Sequence, residues 1–250
     1  MMGRFAFAWR LTRLFSQMLW GLVLSVTAFP RGGQAARHAI IRSWSREILH
    51  RAGVEVRAVG FPKEAKDVDR PVTLVANHVS WADIFALNSE HACHFIAKSE
   101  LRGWPLAGRL LHNVGTIFID RSDRKETHRL KQVVHDLLAA GETVAVFPEG
   151  TTSNGRDVLK FHASLLEPIV AAEGEVWVVA IRYFRVSDGA RTEAAAYIDE
   201  LSLLDSLHAI AREAPLVAEL KFIEAISCAG LNRREVAQRA EALIRAAIQS

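Results

Sequence analysis

Residues 72–76 read VTLVA, a five-residue apolar run with no polar alternation, and the run ends abruptly in NHVSWAD, Asn77 to Asp83. A strand that is apolar at every position has both faces to bury, so the sheet that holds it needs a layer of helices on each side. The chain past residue 53 supplies those layers. Val54, Val56 and Ala58 make a short period-two strand, and His94–Ala97, Thr116–Ile119, Thr143–Phe147 and Val176–Ile181 read as further strands. Helical segments begin at Ile84–Leu87, Leu106–Leu111 and Leu165–Ala172, and Asp123-Arg124-Lys125-Glu126 has capping-box spacing before a helix that should stop at Gly141. Leu216, Ala218, Leu220 and Phe222 alternate with Glu219 and Lys221 as in an edge strand. Asn232-Arg233-Arg234-Glu235 then opens a closing helix with Val236, Ala240, Leu243 and Ile244 on its apolar face. Strands separated by helices predict an α/β fold, with a mostly parallel central sheet and helices on both faces.

The first 52 residues obey a different rule and are expected to form an amino-terminal two-helix hairpin, with residues 53–250 as the main domain. From Leu14 to Pro30 no residue is charged, a stretch slightly short of the roughly 20 residues that span a bilayer comfortably. After Gly32-Gly33, the apolar residues Ile41, Trp44 and Ile48 recur at helical spacing beside Arg42 and Arg46, as in a helix that lies in a membrane interface. A hairpin packed on the domain's own core is the alternative. Charge favours the membrane: residues 1–60 carry a net +7, all from arginine, and the rest a net −4. Val26-Thr27-Ala28 has the small residues of a signal cleavage site, but cleavage would free an arginine-rich helix, and basic flanks favour cytoplasmic retention. The expectation is an uncleaved anchor on the anionic cytoplasmic face of the inner or plasma membrane. Cys93 and Cys228 form no disulfide framework or paired metal motif and read as buried filler.

The unusual polar residues collect where strands end. Asn77-His78 follow one apolar run, Asp120-Arg121 a second, Pro148-Glu149-Gly150-Thr151 a third and Arg182 a fourth. Ligands of open α/β sheets bind outside the carboxyl ends of the strands, so the four clusters should face one cleft. If the strand ends near Ala76 and a helix starts near Asp83, the His78 imidazole folds back onto the Asp83 carboxylate, giving a base with its orienter. Arginines and a glycine turn beside such a base suit an anionic substrate with a proton to lose. Other chemistries lack their motifs. There is no G-x-S-x-G, no G-x-x-x-x-G-K-[ST] and no G-x-G-x-x-G. His91-Ala92-Cys93-His94 has the residue types of metal ligands but no second pair of matching spacing. The basic amino-terminal arm is interleaved with an apolar run rather than with stacking aromatics, which disfavours nucleic acid as a partner.

Asn77-His78-Val79-Ser80-Trp81-Ala82-Asp83 resembles the N-H-x-S-x-x-D signature of the PlsC-like glycerolipid acyltransferases. Gly115 to Arg121 (GTIFIDR) is similar to that family's second block, Phe147 to Thr151 (FPEGT) to its third and Val176 to Ile181 to its fourth. The resemblance covers roughly residues 54–185, and the amino-terminal hairpin is similar to the family's membrane-docking helices. It implies an enzyme that moves a fatty acyl group from acyl-CoA or acyl carrier protein to a lysolipid hydroxyl, with no metal and no cofactor beyond the thioester co-substrate. His78 and Asp83 would be catalytic. Asn77, Ser80, Arg121, Glu149, Gly150, Thr151 and Arg182 would bind substrate, with Glu149 on an acceptor hydroxyl or orienting Arg121. The acceptor implied first is 1-acyl-glycerol-3-phosphate, giving phosphatidic acid; a lyso-ornithine lipid or other lysolipid is the alternative. The chain departs from the family at Thr152, where the third block commonly has arginine, at Ser164, where glycine is usual, and at Val178, where proline is common.

Overall fold

The computed structural model describes residues 4–60, 72–104, 107–120 and 124–250. Two helices, α1 (Arg4–Thr27) and α2 (Gln34–Ala52), lead into the strands β1 (Val54–Val59) and β2 (Val72–Ala76). Then follow α3 (Ala82–Glu90), β3 (His94–Lys98), α4 (Ala107–Asn113), β4 (Ile117–Ile119), α5 (Arg124–Ala139), β5 (Val144–Val146), α6 (Glu167–Ala171) and β6 (Glu175–Arg185). The chain closes with α7 (Leu203–Glu213), β7 (Leu216–Ser227) and α8 (Arg233–Gln249). Asp123 of the expected capping box lies outside the described residues.

The seven strands form one sheet in the order β1-β7-β6-β2-β5-β3-β4. Every neighbouring pair is parallel except β6 and β7. The α/β fold expected from the alternation is therefore present. One strand differs: β7 is not an edge but lies between β1 and β6. Its polar alternation misled because Glu219 is matched by an arginine on the next strand, Arg182, at 2.6 Å, so a charge inside the sheet is compensated there rather than by solvent. Helix α7, not among the elements expected from the sequence, carries Leu203, Leu207, Ile210 and Ala211 at helical spacing and a full capping box, Ser202 with Asp205.

Strand period sorts the core into two layers. Leu74, Ala76, Trp177, Val179 and Ile181 face a cluster with Leu49 of α2, Ala86 and Leu87 of α3 and Ile210 of α7. Val75, Val176, Val178 and Ala180 face Leu130 and Val134 of α5, Ile169 of α6 and Val236, Ala240 and Ile244 of α8. Each fully buried aliphatic side chain contributes about 1.5–3 kcal/mol, which explains why β2 carries no polar residue but Thr73.

The hairpin belongs partly to this core. Leu49 and Ala52 of α2 are fully buried, and Leu14 of α1 packs with Ala52 and Leu207. A Cβ on Gly21 would fall 2.4 Å from the Trp44 indole, so α1 and α2 approach closely there, and Trp44 Nε1 donates to the Gln17 carbonyl at 2.8 Å. The other side of α1 is uncovered: Phe5, Trp9, Phe15, Leu19, Trp20, Val23 and Val26 are all exposed. At about 100° per residue they fall within an arc of about 140°. No helix among the described residues is long and apolar enough to cross a membrane.

Candidate active site

At Ala76 the β2 backbone leaves the sheet, and Asn77 continues the ladder with its side chain. Its Nδ2 donates to the Ile181 carbonyl at 3.0 Å, and the Ile181 N–H donates to its Oδ1 at 2.7 Å. The turn that follows brings His78 back over the first turn of α3. His78 Nδ1 and Asp83 Oδ2 are 2.9 Å apart. The same oxygen accepts the N–H groups of Val79, at 2.6 Å, and Ser80, at 2.9 Å, and Oδ1 accepts the Tyr183 hydroxyl at 2.6 Å. Asp83 is fully buried in the first turn of α3. With Nδ1 engaged by the carboxylate, the ring's Nε2 is the nitrogen left to meet a substrate. Phe147 holds the ring in plane, stacked with centroids 4.0 Å apart at 7°.

The loop after β5 fixes the His78 backbone from the other side. Glu149 Oε1 accepts the His78 N–H at 2.6 Å and Oε2 accepts the Leu159 N–H at 2.8 Å, while the Ser153 N–H donates to the His78 carbonyl at 2.8 Å. Burial pushes the Glu149 carboxyl above its ordinary value against the pull of those two N–H donors. Gly150 sits in a turn at φ +74°, its N–H donating to the Phe147 carbonyl, with Thr151 exposed beside it. Gly155, also at φ +74°, has room for no Cβ, which would lie 2.9 Å from Val79. Thr152, at the position where the resemblance leads one to look for arginine, donates its hydroxyl to the Tyr197 carbonyl.

The structure thus brings His78, Asp83, Glu149, Gly150 and Thr151 to one end of the sheet, and it gives Asn77, Ser80 and Arg182, also expected to bind substrate, partners within the protein. Asn77 and Ser80 are fully buried and turned into the protein: Asn77 binds Ile181, and the Ser80 hydroxyl accepts the Ala82 N–H at 3.2 Å. Glu149 has both oxygens on backbone donors, the N–H groups of His78 and Leu159, and is only 2% exposed. Arg182 is not at a strand end, because β6 runs on to Arg185. Strand parity points Arg182 to the α8 side, where it pairs with Glu219 and donates to the Ala247 carbonyl at 3.0 Å. Arg191 likewise ties the end of α8, donating to the Ile248 carbonyl at 2.7 Å. Arg121 lies outside the described residues. Two contributors were missed, Phe147 and Tyr183. The second was within reach, since residues 181 and 183 share a strand face once β6 is known to continue.

A family model described as acyltransferase matches residues 56–183. The 1-acyl-sn-glycerol-3-phosphate acyltransferase of Neisseria gonorrhoeae is 39% identical over 141 residues, 56% of this chain and 54% of that protein, so the chain spans about half the length of that relative. The lyso-ornithine lipid O-acyltransferase of Pseudomonas aeruginosa is 34% identical over 213 residues, 85% of this chain and 79% of that one. The crystal structure of the 1-acyl-sn-glycerophosphate acyltransferase PlsC from Thermotoga maritima shares the fold with a TM-score of 0.63, over 96% of each chain, at 21% identity.

Proposed function

The chain belongs to the PlsC-like acyltransferase family, and from that premise we propose that it moves a fatty acyl group from a thioester, acyl-CoA or acyl carrier protein, to the free hydroxyl of a lysolipid at a membrane surface. The observation that carries this reading is the buried, fully hydrogen-bonded Asp83 behind His78 Nδ1, which holds the imidazole as a base whose Nε2 takes a proton. His78 removes the acceptor's hydroxyl proton as that oxygen attacks the thioester carbonyl, and Asp83 stabilises the imidazolium. When the tetrahedral intermediate collapses, the C–S bond breaks and the sulfur leaves with the proton from His78, giving a lipid ester and a free thiol. Proton transfer of this kind contributes about 10²- to 10⁴-fold.

Between the two acceptors, we favour a lyso-ornithine lipid over lysophosphatidic acid, reversing the order that the motifs alone suggest. What supports this order is the length of the match, 85% of the chain against 56%. Thr152 supports it too: its hydroxyl is on the Tyr197 carbonyl where an arginine would add a phosphate ligand. The Gly150-Thr151 turn and Arg121 are the groups proposed to meet the acceptor head group. Lysophosphatidic acid remains the second reading on the strength of the 39% identity to the Neisseria protein.

The test is acyl transfer by the purified protein in mixed micelles, from labelled acyl-CoA and from acyl carrier protein thioester, to both acceptors in parallel. His78→Ala should lose the product about a thousandfold. Product from lysophosphatidic acid alone overturns the acceptor, and product that persists in His78→Ala overturns the mechanism. The membrane assignment rests on the exposed apolar arc of α1 beside the arginines of the hairpin. Flotation with anionic vesicles should be lost in Trp9→Ser/Trp20→Ser; flotation equal to that of the parent protein removes α1 from that role.

A further inference from the structure

Behind the His78 and Asp83 pair stands a third group that the motifs do not include. Tyr183 is 3% exposed, and its hydroxyl lies 2.6 Å from Asp83 Oδ1. The two carboxylate oxygens are treated unequally. Oδ2 takes the His78 ring and two backbone N–H groups, whereas among the described residues Tyr183 is the donor to Oδ1. Tyr183 reaches this oxygen from the opposite wall of the site. It stands on β6, two residues past the Ile181 backbone that Asn77 clamps, so the strand that anchors the end of β2 also anchors the carboxylate.

We propose that Tyr183 is a positioning residue of the proton-transfer machinery: its hydroxyl locks the Asp83 carboxylate in the rotamer that faces His78 Nδ1 and withdraws negative charge from it. The inference rests on the reading of His78 and Asp83 as the catalytic pair. The donor direction is unambiguous, because burial, and then the adjacent Asp83 charge, push the phenol well above its ordinary value and keep it protonated at any working pH. Among the described residues the other titratable group around the pair is Glu149, which reaches the His78 backbone N–H rather than the ring; the Ser80 hydroxyl also touches Tyr183.

The consequence for catalysis has a sign. A carboxylate that loses one donor presents more negative charge to the ring, favours the imidazolium, and leaves less of the neutral imidazole that acts as base at a given pH. Tyr183→Phe removes a single oxygen and keeps the ring's volume. The variant should show the acid limb of its kcat/KM profile moved to higher pH by about one unit and kcat reduced about tenfold, with KM for the acceptor unchanged. A role in packing alone would move neither the limb nor the ratio of kcat to KM in this way.

The experiment compares the full-length parent, Tyr183→Phe and Asp83→Asn by pH-rate profiles and by proton NMR of the low-field imidazole N–H in substrate-free protein. The expected result is a low-field signal that Asp83→Asn abolishes and Tyr183→Phe shifts or broadens, together with the displaced acid limb. A superimposable pH profile with kcat within twofold of the parent overturns the proposal, as does a raised KM at constant kcat. If no acceptor yields product, the acyltransferase reading has failed and the NMR signal alone decides the role of Tyr183. A signal identical in the parent and Tyr183→Phe then overturns it.

Discussion

At the carboxyl ends of the strands His78 meets Asp83 at 2.9 Å; at the amino ends of the same sheet His38 and His94 meet Glu142 at 2.8 and 3.3 Å. By distance alone the two sites are equivalent, yet their surroundings differ. Asp83 is fully buried, bound by two backbone N–H groups and a phenol, and faces one imidazole. Glu142 shares one oxygen, Oε2, between two imidazoles. His94 has its second nitrogen on the Gly115 carbonyl, at 2.8 Å, and so has none left for a ligand. His38 stands on α2 and Glu142 just before β5, so this contact fastens the hairpin to the body. A histidine beside a carboxylate is therefore weak support for catalysis. What distinguishes a base is a carboxylate whose other lone pairs are taken and an imidazole whose other nitrogen is free.

The sharpest way to break this contrast is to remove the charge at each end without changing shape. Asp83→Asn should have the largest effect, about a thousandfold in kcat/KM, because an amide N–H facing Nδ1 imposes the wrong tautomer and places the ring proton on Nε2. Acyl-transfer kinetics across pH 6–9 measure it. A loss below about fivefold would mean that Asp83 only supports the turn and that the two sites differ less than their geometry implies.

The contrast also shows where sequence reading reached its limit. The VTLVA run, the strand-helix alternation and the asparagine-led cap of α8 rest on local rules of burial and hydrogen bonding, and each appears where those rules put it. The His78 and Asp83 contact was legible for the same reason, since only five residues separate them and the end of a strand intervenes. Roles that depend on partners remote in sequence were not legible. Asn77 finds Ile181, Glu149 finds His78 and Leu159, and Arg182 finds Glu219 on a strand placed beside it by the antiparallel return of β7. An unpartnered polar residue near a motif reads as a ligand group, whereas the fold gives Asn77, Ser80, Glu149 and Arg182 partners within the protein. Tyr183 shows the converse: an aromatic in an apolar strand reads as core until its hydroxyl is seen on Asp83.

Glu142→Gln is the smaller and more discriminating change. Burial pushes the Glu142 carboxyl up, but the hydrogen bonds and charges of His38 and His94 outweigh it and hold the carboxyl below its ordinary value. A carboxyl that is more acidic in the folded state stabilises the fold above its unfolded value, near 4.5, and loses that contribution as pH falls through its folded value. The neighbouring His91, pushed down to about 4 by burial, then by His38 and Arg42, lowers stability as pH falls below 6.5, because the unfolded chain gains that proton first, but this loss is common to both proteins and leaves their difference to Glu142. Glu142→Gln should therefore lower stability by about 1–2 kcal/mol at pH 7, and the deficit should shrink towards pH 3 as the parent protonates. Thermal melts of both proteins from pH 7 to pH 3 test this, with kcat measured alongside at pH 7. Converging melting curves with unchanged kcat keep the amino-end cluster as a fastening of hairpin to body; parallel curves remove the linkage to Glu142, and a drop in kcat would show that the two ends of the sheet are coupled.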